Sequence, residues 1–110
     1  MKRVCILVYQ GLPFIIDSVV IFNKKEKQFV EKLNNKLDEV SMDWHVQLDT
    51  SSGNIDDIVQ QNPQALILKN GLQHRFYKGN FLQERIYQLD ALELNEESIN
   101  GVISFLKGLN

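Results

Sequence analysis

Two uninterrupted apolar runs constrain the fold of this chain more than any other feature of its sequence. The first extends from Val4 to Tyr9, and the second is Ala65-Leu66-Ile67-Leu68. A strand that is apolar on both faces is typical of the middle of a parallel sheet, where helices cover it above and below. The sequence therefore predicts an α/β domain in which both runs are central strands.

A long amphipathic helix is predicted after the first strand. Phe29 and Leu33 belong to an apolar stripe at helical spacing, which indicates a helix over residues 24–38. Asn23 and Glu26 are spaced as a capping box at its start. Most of the lysines in this segment fall on the opposite side, which we expect to face water.

Two more strands and several shorter helices complete the pattern. Residues 42–49 alternate, and this predicts an edge strand with one solvated face. Its two faces are Trp44, Val46 and Leu48 on one side, and His45, Gln47 and Asp49 on the other. Residues 85–89 are predicted as the fourth strand. Helices are expected over residues 14–22, after Asn54, irregularly over 72–80, and after Asn95, where Leu94 is placed to contact Ile99.

Strands that alternate with helices select a doubly wound, three-layer α/β sandwich. Right-handed crossovers favour a four-stranded parallel sheet in the order 2-1-3-4, of the flavodoxin type. The 110 residues, of which 44% are hydrophobic, fit a single domain spanning residues 1–110. In such sheets ligands bind beyond the carboxyl ends of the strands, so the loop from Tyr9 to Phe14 is the first candidate site.

Two well-known protein families with this fold, receiver domains and flavodoxins, have site residues that this chain lacks. A receiver domain requires acidic residues after strand 1 and an aspartate after strand 3, whereas this chain has Gln10 and Lys69-Asn70 there. A flavodoxin uses a loop rich in serine and threonine to bind phosphate, which Gln10-Gly11-Leu12-Pro13 does not provide.

The chain resembles the enzyme IIB component of the sugar phosphotransferase system, of the lactose and cellobiose type, over nearly its whole length. Two turns carry this resemblance. Val8-Tyr9-Gln10-Gly11-Leu12-Pro13-Phe14 falls on the family's C-x-x-G-x-S-T loop, with Gly11 on the glycine. Gly71-Leu72-Gln73-His74-Arg75 falls on its G-P-Q-x-R turn. The resemblance implies the fold predicted above and a phosphate site at the first of these loops.

The departures from the family pattern concern its chemistry. The family's phosphoryl-accepting cysteine is Val8 here, and its Ser-Thr pair is Pro13-Phe14, in which the proline has no N–H to offer an anion. Cys5 is the only cysteine in the chain, and its position inside the strand predicts a buried, unreactive thiol. We therefore expect no catalytic residue and interpret residues 8–14 as a degenerate phosphate loop.

With its scaffold retained and its nucleophile lost, the chain resembles the degenerate enzyme IIB-like domains at the C-terminal end of bacterial transcription regulators of the Mga/AtxA type. This resemblance implies a non-catalytic regulatory domain that forms homodimers, with Gly71, Gln73, His74 and Arg75 as a contact for an anion or a partner. Other phosphotransferase proteins are implied as further partners. The apolar residues of segments 12–16 and 21–22 suggest a contact surface, although covering the sheet would explain them equally well.

Charge and motif content bound the remaining alternatives. A net charge of −2 argues against direct nucleic-acid binding, although Lys69, Lys78 and Arg85 form part of a basic, aromatic-containing segment. His45 and His74 have no partners at metal-ligand spacing, so neither a metal nor a cofactor is expected.

No apolar run is long enough to span a membrane, and we expect a cytoplasmic protein. A stand-alone enzyme IIB phosphocarrier, and a small hydrolase or ligand-binding module, remain alternative functions.

Overall fold

The structure, a computed structural model, describes residues 2–9, 24–49, 54–69, 76 and 78–109. In chain order the described elements are β1 (Arg3–Val8), α1 (Lys24–Glu39), β2 (Trp44–Leu48), α2 (Ile55–Val59), β3 (Ala65–Leu68), β4 (Ile86–Gln88), α3 (Ala91–Asn95) and α4 (Asn100–Lys107). A 3-10 turn, Gln83–Arg85, precedes β4.

The four strands form one parallel sheet in the order β2-β1-β3-β4. Both uninterrupted apolar runs are therefore interior strands, and the predicted fold class and strand order are confirmed. Cys5 lies in register with Val46 on one side and with Ala65 on the other. This order places the carboxyl ends of β1 and β3 next to each other, at the position where crossovers leave in opposite directions.

Side chains from alternate positions of β1 pack into two separate cores. Cys5 and Leu7 point towards α1 and α4, and they lie in a cluster with Phe29 and Leu106. Ile6 and Val8 point towards the opposite layer, where Ile58 of α2 covers them. This division accounts for the apolar character of both faces, since each face is buried under helices.

Helix α1 also protects the outer edge of the sheet. The side chain of Asn34 accepts a hydrogen bond from Val46 N–H (2.8 Å) and donates one to Val46 C=O (2.7 Å). A side-chain amide thus takes the place of a neighbouring strand along the exposed edge of β2. Edge strands that are satisfied in this way are poor templates for aggregation.

The predicted start of the last helix is wrong. Asn95 does not cap a helix but ends α3, and Asp90 caps that helix through a capping box with Glu93. Glu97 adopts a left-handed conformation with φ of 53°, which separates α3 from α4. Asp90 lies two residues after the end of β4, and its carboxylate accepts a hydrogen bond from Glu93 N–H (2.8 Å).

Smaller differences concern the region before β4. Arg85 belongs to the 3-10 turn and not to the fourth strand, which is limited to Ile86–Gln88. Phe76 and residues 78–80 are not helical, and the rest of the predicted 72–80 helix lies outside the described residues, as does the predicted 14–22 helix. Asn54 caps α2 as predicted, since its side chain accepts from Asp57 N–H. In the part of the chain that the structure describes, no helix is long and apolar enough to cross a membrane.

Candidate functional site

At the carboxyl edge of the sheet, backbone hydrogen bonds to β1 continue one residue beyond the ends of β2 and β3. Asp49 N–H donates to Leu7 C=O (2.9 Å), and Lys69 N–H donates to Val8 C=O (3.0 Å). The residues after β2 and β3 are therefore held against the end of β1. Their side chains are placed at the edge where this fold class binds ligands.

An ion pair lies at this edge, between the start of α1 and the end of β3. Lys69 Nζ is 2.7 Å from Glu26 Oε1, and the side chains are 32% and 2% exposed respectively. Among the described residues, the second carboxylate oxygen, Glu26 Oε2, is buried without a hydrogen-bond partner. Within this part of the chain, the Lys69 ammonium is the contact that compensates the buried charge of Glu26.

Two acidic side chains are buried where the sequence indicated solvent. Asp49 was predicted on the wet face of β2, yet it is 1% exposed, at the position where its N–H donates to Leu7 C=O. Glu26 was predicted only as a capping residue. Its signal was its spacing, since it precedes Phe29 and Leu33 on the buried stripe of α1.

The predicted site residues are only partly placed by the structure. Val8 is fully buried at the end of β1, and Tyr9 is half-buried directly after it. The remaining loop residues lie outside the described part of the chain: Gln10, Gly11, Leu12, Pro13 and Phe14. The predicted contact residues Gly71, Gln73, His74 and Arg75 also lie outside it.

The described cations of the predicted basic segment each contact a different part of the structure. Lys69 pairs with Glu26 at the carboxyl edge. Lys78 Nζ donates to Phe81 C=O (3.1 Å), and Arg85 Nη1 donates to Gln64 C=O (2.9 Å), just before β3 begins. These cations are therefore engaged separately and form no single basic patch.

The cysteine lies in the core, away from the carboxyl edge. Cys5 is fully buried in the middle of β1, between β2 and β3. Burial raises the pKa of its thiol far above the usual value, so the reactive thiolate is suppressed. The prediction that Cys5 is a buried core residue is confirmed.

We expect the Cys5 thiol of the folded protein to resist a thiol-specific chromogenic reagent, and to react fully in denaturant. The reason is that the reagent needs both access and a thiolate, and burial removes both. Val59→Cys is a suitable control, because Val59 is 42% exposed and its replacement should add one thiol that reacts at once. Rapid stoichiometric labelling of the unmodified protein would contradict this prediction.

His45 is exposed on β2, as predicted. Among residues 2–9, 24–49, 54–69, 76 and 78–109, no group of three His, Cys, Asp or Glu side chains is arranged to hold a metal ion. At the described part of the carboxyl edge, β1 ends in the buried residue Val8, and Glu26 and Lys69 form an ion pair.

No protein-family model, curated protein or solved structure matches this chain.

Proposed function

We propose that this chain is a non-catalytic, enzyme IIB-like regulatory and self-association domain of a bacterial transcription regulator of the Mga/AtxA type. In this proposal it acts in the cytoplasm, a second copy of the chain is its principal partner, and it does not contact nucleic acid directly. Other phosphotransferase proteins are further partners.

The single observation that carries the proposal is the position of the thiol. Phosphoryl transfer in the family that the sequence resembles needs a cysteine at the strand end, where a loop can hold the phosphate. In this chain an aliphatic residue, Val8, ends the strand, and the only thiol is Cys5, which is buried in the sheet. A domain with this arrangement retains a rigid scaffold but has no accessible thiolate, which favours contact over group transfer.

Self-association has its own support on the described surface. Leu82 and Leu92 are large hydrophobic side chains that are 55% and 67% exposed. Single exposed apolar residues are common on protein surfaces, and these two are the most exposed large hydrophobic side chains that the structure describes. The segments 12–16 and 21–22, which first suggested a contact surface, lie outside the described residues.

Light scattering coupled to size-exclusion chromatography tests the self-association. We expect the apparent mass to rise above that of one chain as the protein concentration is raised from micromolar to millimolar. A mass that stays at that of one chain over the whole range would refute the proposal.

Intact-mass spectrometry after incubation with the phosphotransferase relay tests the alternative of a phosphocarrier. We expect no phosphate adduct on this chain, while an active enzyme IIB in a parallel reaction acquires one. A stoichiometric adduct on this chain would establish the phosphocarrier alternative instead.

A further inference from the structure

A side chain of α1 occupies the middle of the outer edge of β2. Asp49 N–H donates to Leu7 C=O, so the backbone groups of Asp49 point towards β1. Because backbone groups point to alternate sides along a strand, those of Val46 point away from β1, to the outer edge. There Val46 N–H donates to Asn34 Oδ1 (2.8 Å), and Asn34 Nδ2 donates to Val46 C=O (2.7 Å).

These two hydrogen bonds are the same as those that an added strand would form with Val46. In an antiparallel pair, two residues directly opposite each other exchange both N–H···O bonds. A carboxamide carries an acceptor and a donor side by side, so Asn34 reproduces this exchange without a strand. An added strand and the Asn34 amide therefore compete for the same backbone groups.

A second copy of β2 fits this edge. When two copies of β2 run antiparallel about a two-fold axis through the middle of the strand, Val46 of each copy lies opposite Val46 of the other. Trp44 then lies opposite Leu48, and His45 opposite Gln47. None of these five residues is an acid, a lysine or an arginine, so no like charges are brought together within the strand.

Two acidic residues restrict how far such a pairing extends. Asp43 is exposed just before β2, and Asp49 is buried just after it. The same register sets Asp43 of one copy opposite Asp49 of the other, where like charges destabilise a sheet. The pairing is therefore confined to Trp44–Leu48, five residues, which is a usual length for a strand.

We infer that Asn34 is an autoinhibitory contact: by bonding to Val46, it prevents β2 from pairing with β2 of a second copy. Removing the amide frees the edge, and two four-stranded sheets then join into one continuous sheet. The inference goes beyond the proposed self-association and does not depend on it, because it concerns a pairing that the unmodified chain does not form.

Amide hydrogen exchange followed by NMR tests the inference at a single residue. In the unmodified chain, Val46 N–H should exchange slowly because it is bonded to Asn34. In dilute Asn34→Ala it should exchange faster by roughly tenfold or more, as expected for a lost hydrogen bond. Ile67 N–H, in the interior strand β3, should keep its rate if the fold is intact. At high concentration the Val46 N–H of Asn34→Ala should be protected again, because a second copy replaces the amide.

Sedimentation velocity on the same samples measures the assembly. We expect Asn34→Ala to form a dimer at concentrations where the unmodified chain sediments as one chain. Asn35→Ala is the matched control, since it removes an exposed amide from the next position of α1 and raises the helix propensity by the same amount. Asn35→Ala should behave as the unmodified chain does, and its dimerisation to the same extent as Asn34→Ala would overturn the inference.

Asn34→Ser covers the case in which Asn34→Ala does not fold. Serine remains polar but is too short to bond to both backbone groups, so it should give the same two results. A folded variant that stays monomeric at every concentration, with Val46 N–H unprotected, overturns the inference. Failure of both variants to fold also overturns it, since Asn34 is then required for the fold itself.

The remaining outcomes separate the inference from the proposed function. If Asn34→Ala associates while its Val46 N–H still exchanges quickly, the copies meet at another surface, and the inference is wrong while self-association stands. If the unmodified chain is monomeric at every concentration but Asn34→Ala dimerises with Val46 protected, the proposed function is refuted and the inference is supported.

Discussion

Replacing Lys69 by methionine should lower the free energy of unfolding by roughly 3 kcal/mol, since removing one partner of a buried pair leaves an uncompensated charge. Glu26 is 2% exposed, its Oε2 has no hydrogen-bond partner among the described residues, and its Oε1 lies 2.7 Å from Lys69 Nζ. Methionine keeps a comparable length and apolar stem, so the loss reports mainly on the charge. Urea unfolding followed by circular dichroism measures the effect.

The same experiment on an exposed ion pair provides the control. Lys36 pairs with Glu39 at 3.5 Å, where the side chains are 41% and 70% exposed. Lys36→Met should change stability by about 0.5 kcal/mol or less, because solvent screens exposed pairs. If Lys36→Met and Lys69→Met have equal effects, the burial of Glu26 is of no energetic consequence.

A second substitution should rescue the first. In the Lys69→Met background, Glu26→Gln removes the buried charge and keeps the shape of the side chain. We expect this double variant to recover most of the lost stability, since replacing both partners of a buried pair is often close to neutral. A double variant that is less stable than Lys69→Met alone would show that the glutamate has stabilising partners other than Lys69.

The sheet could be predicted because burial on both faces leaves a direct mark on the sequence. Residues 4–9 and 65–68 contain no charged side chain, and only interior parallel strands need that composition. Once these two strands are interior, the handedness of the crossovers restricts the order to the one observed, β2-β1-β3-β4. The position of Cys5 in the core follows from the same reasoning.

The carboxyl edge was less predictable because tertiary contacts decide which polar residues are buried there. Glu26 and Asp49 are charged, and a local pattern assigns charged residues to solvent. Glu26 is buried because Lys69, 43 positions away in the sequence, reaches it across the sheet edge. Such a pair leaves no local periodicity, and only the coincidence of Glu26 with the apolar stripe of α1 hinted at it.

The position of the helix cap, at Asp90 and not at Asn95, was also difficult to predict from the local sequence. Both residues have side chains that cap helices well, and both are followed by acidic residues, Glu93 three positions after Asp90, and Glu96 and Glu97 directly after Asn95. The Glu93 carboxylate favours Asp90 as the cap, because it accepts hydrogen bonds from Asp90 N–H (3.1 Å) and from the Tyr87 hydroxyl. Tyr87 belongs to β4, so the helix start is fixed by a strand contact that local sequence does not show.

That strand contact also determines the effect of a substitution in the closing helix. A Cβ atom added at Gly101 of α4 would lie 2.8 Å from Glu93 Oε2 and closer still to the Tyr87 hydroxyl. We expect Gly101→Ala to destabilise the fold by about 1–3 kcal/mol, because overpacking of a filled site costs that amount. In an open helical position the same change stabilises by about 1 kcal/mol, so the sign itself is diagnostic. Thermal and urea unfolding measure it.

Gly108→Ala is the matched control for Gly101→Ala. Gly108 follows α4 with φ of −76°, and an added Cβ would meet only backbone oxygens at 3.5 and 3.7 Å. Alanine fits this conformation and this space, so we expect a change of about 0.5 kcal/mol or less, as for surface substitutions in general. A loss as large as that of Gly101→Ala would point to a general intolerance of side chains in α4.

Tyr87→Phe should abolish most of the cost of Gly101→Ala, because it removes the hydroxyl that the new methyl group would strike. Alone, Tyr87→Phe should destabilise by about 1 kcal/mol, the usual net value of a lost hydrogen bond. Burial and the bond to Glu93 raise the pKa of Tyr87, so its neutral form carries this contribution. The contribution is complete below the unfolded tyrosine pKa of about 10 and is lost at higher pH. A double variant whose loss equals the sum of the two single losses would show that Gly101 and Tyr87 are not in contact, and that the close approach of α4 to β4 does not exist in solution.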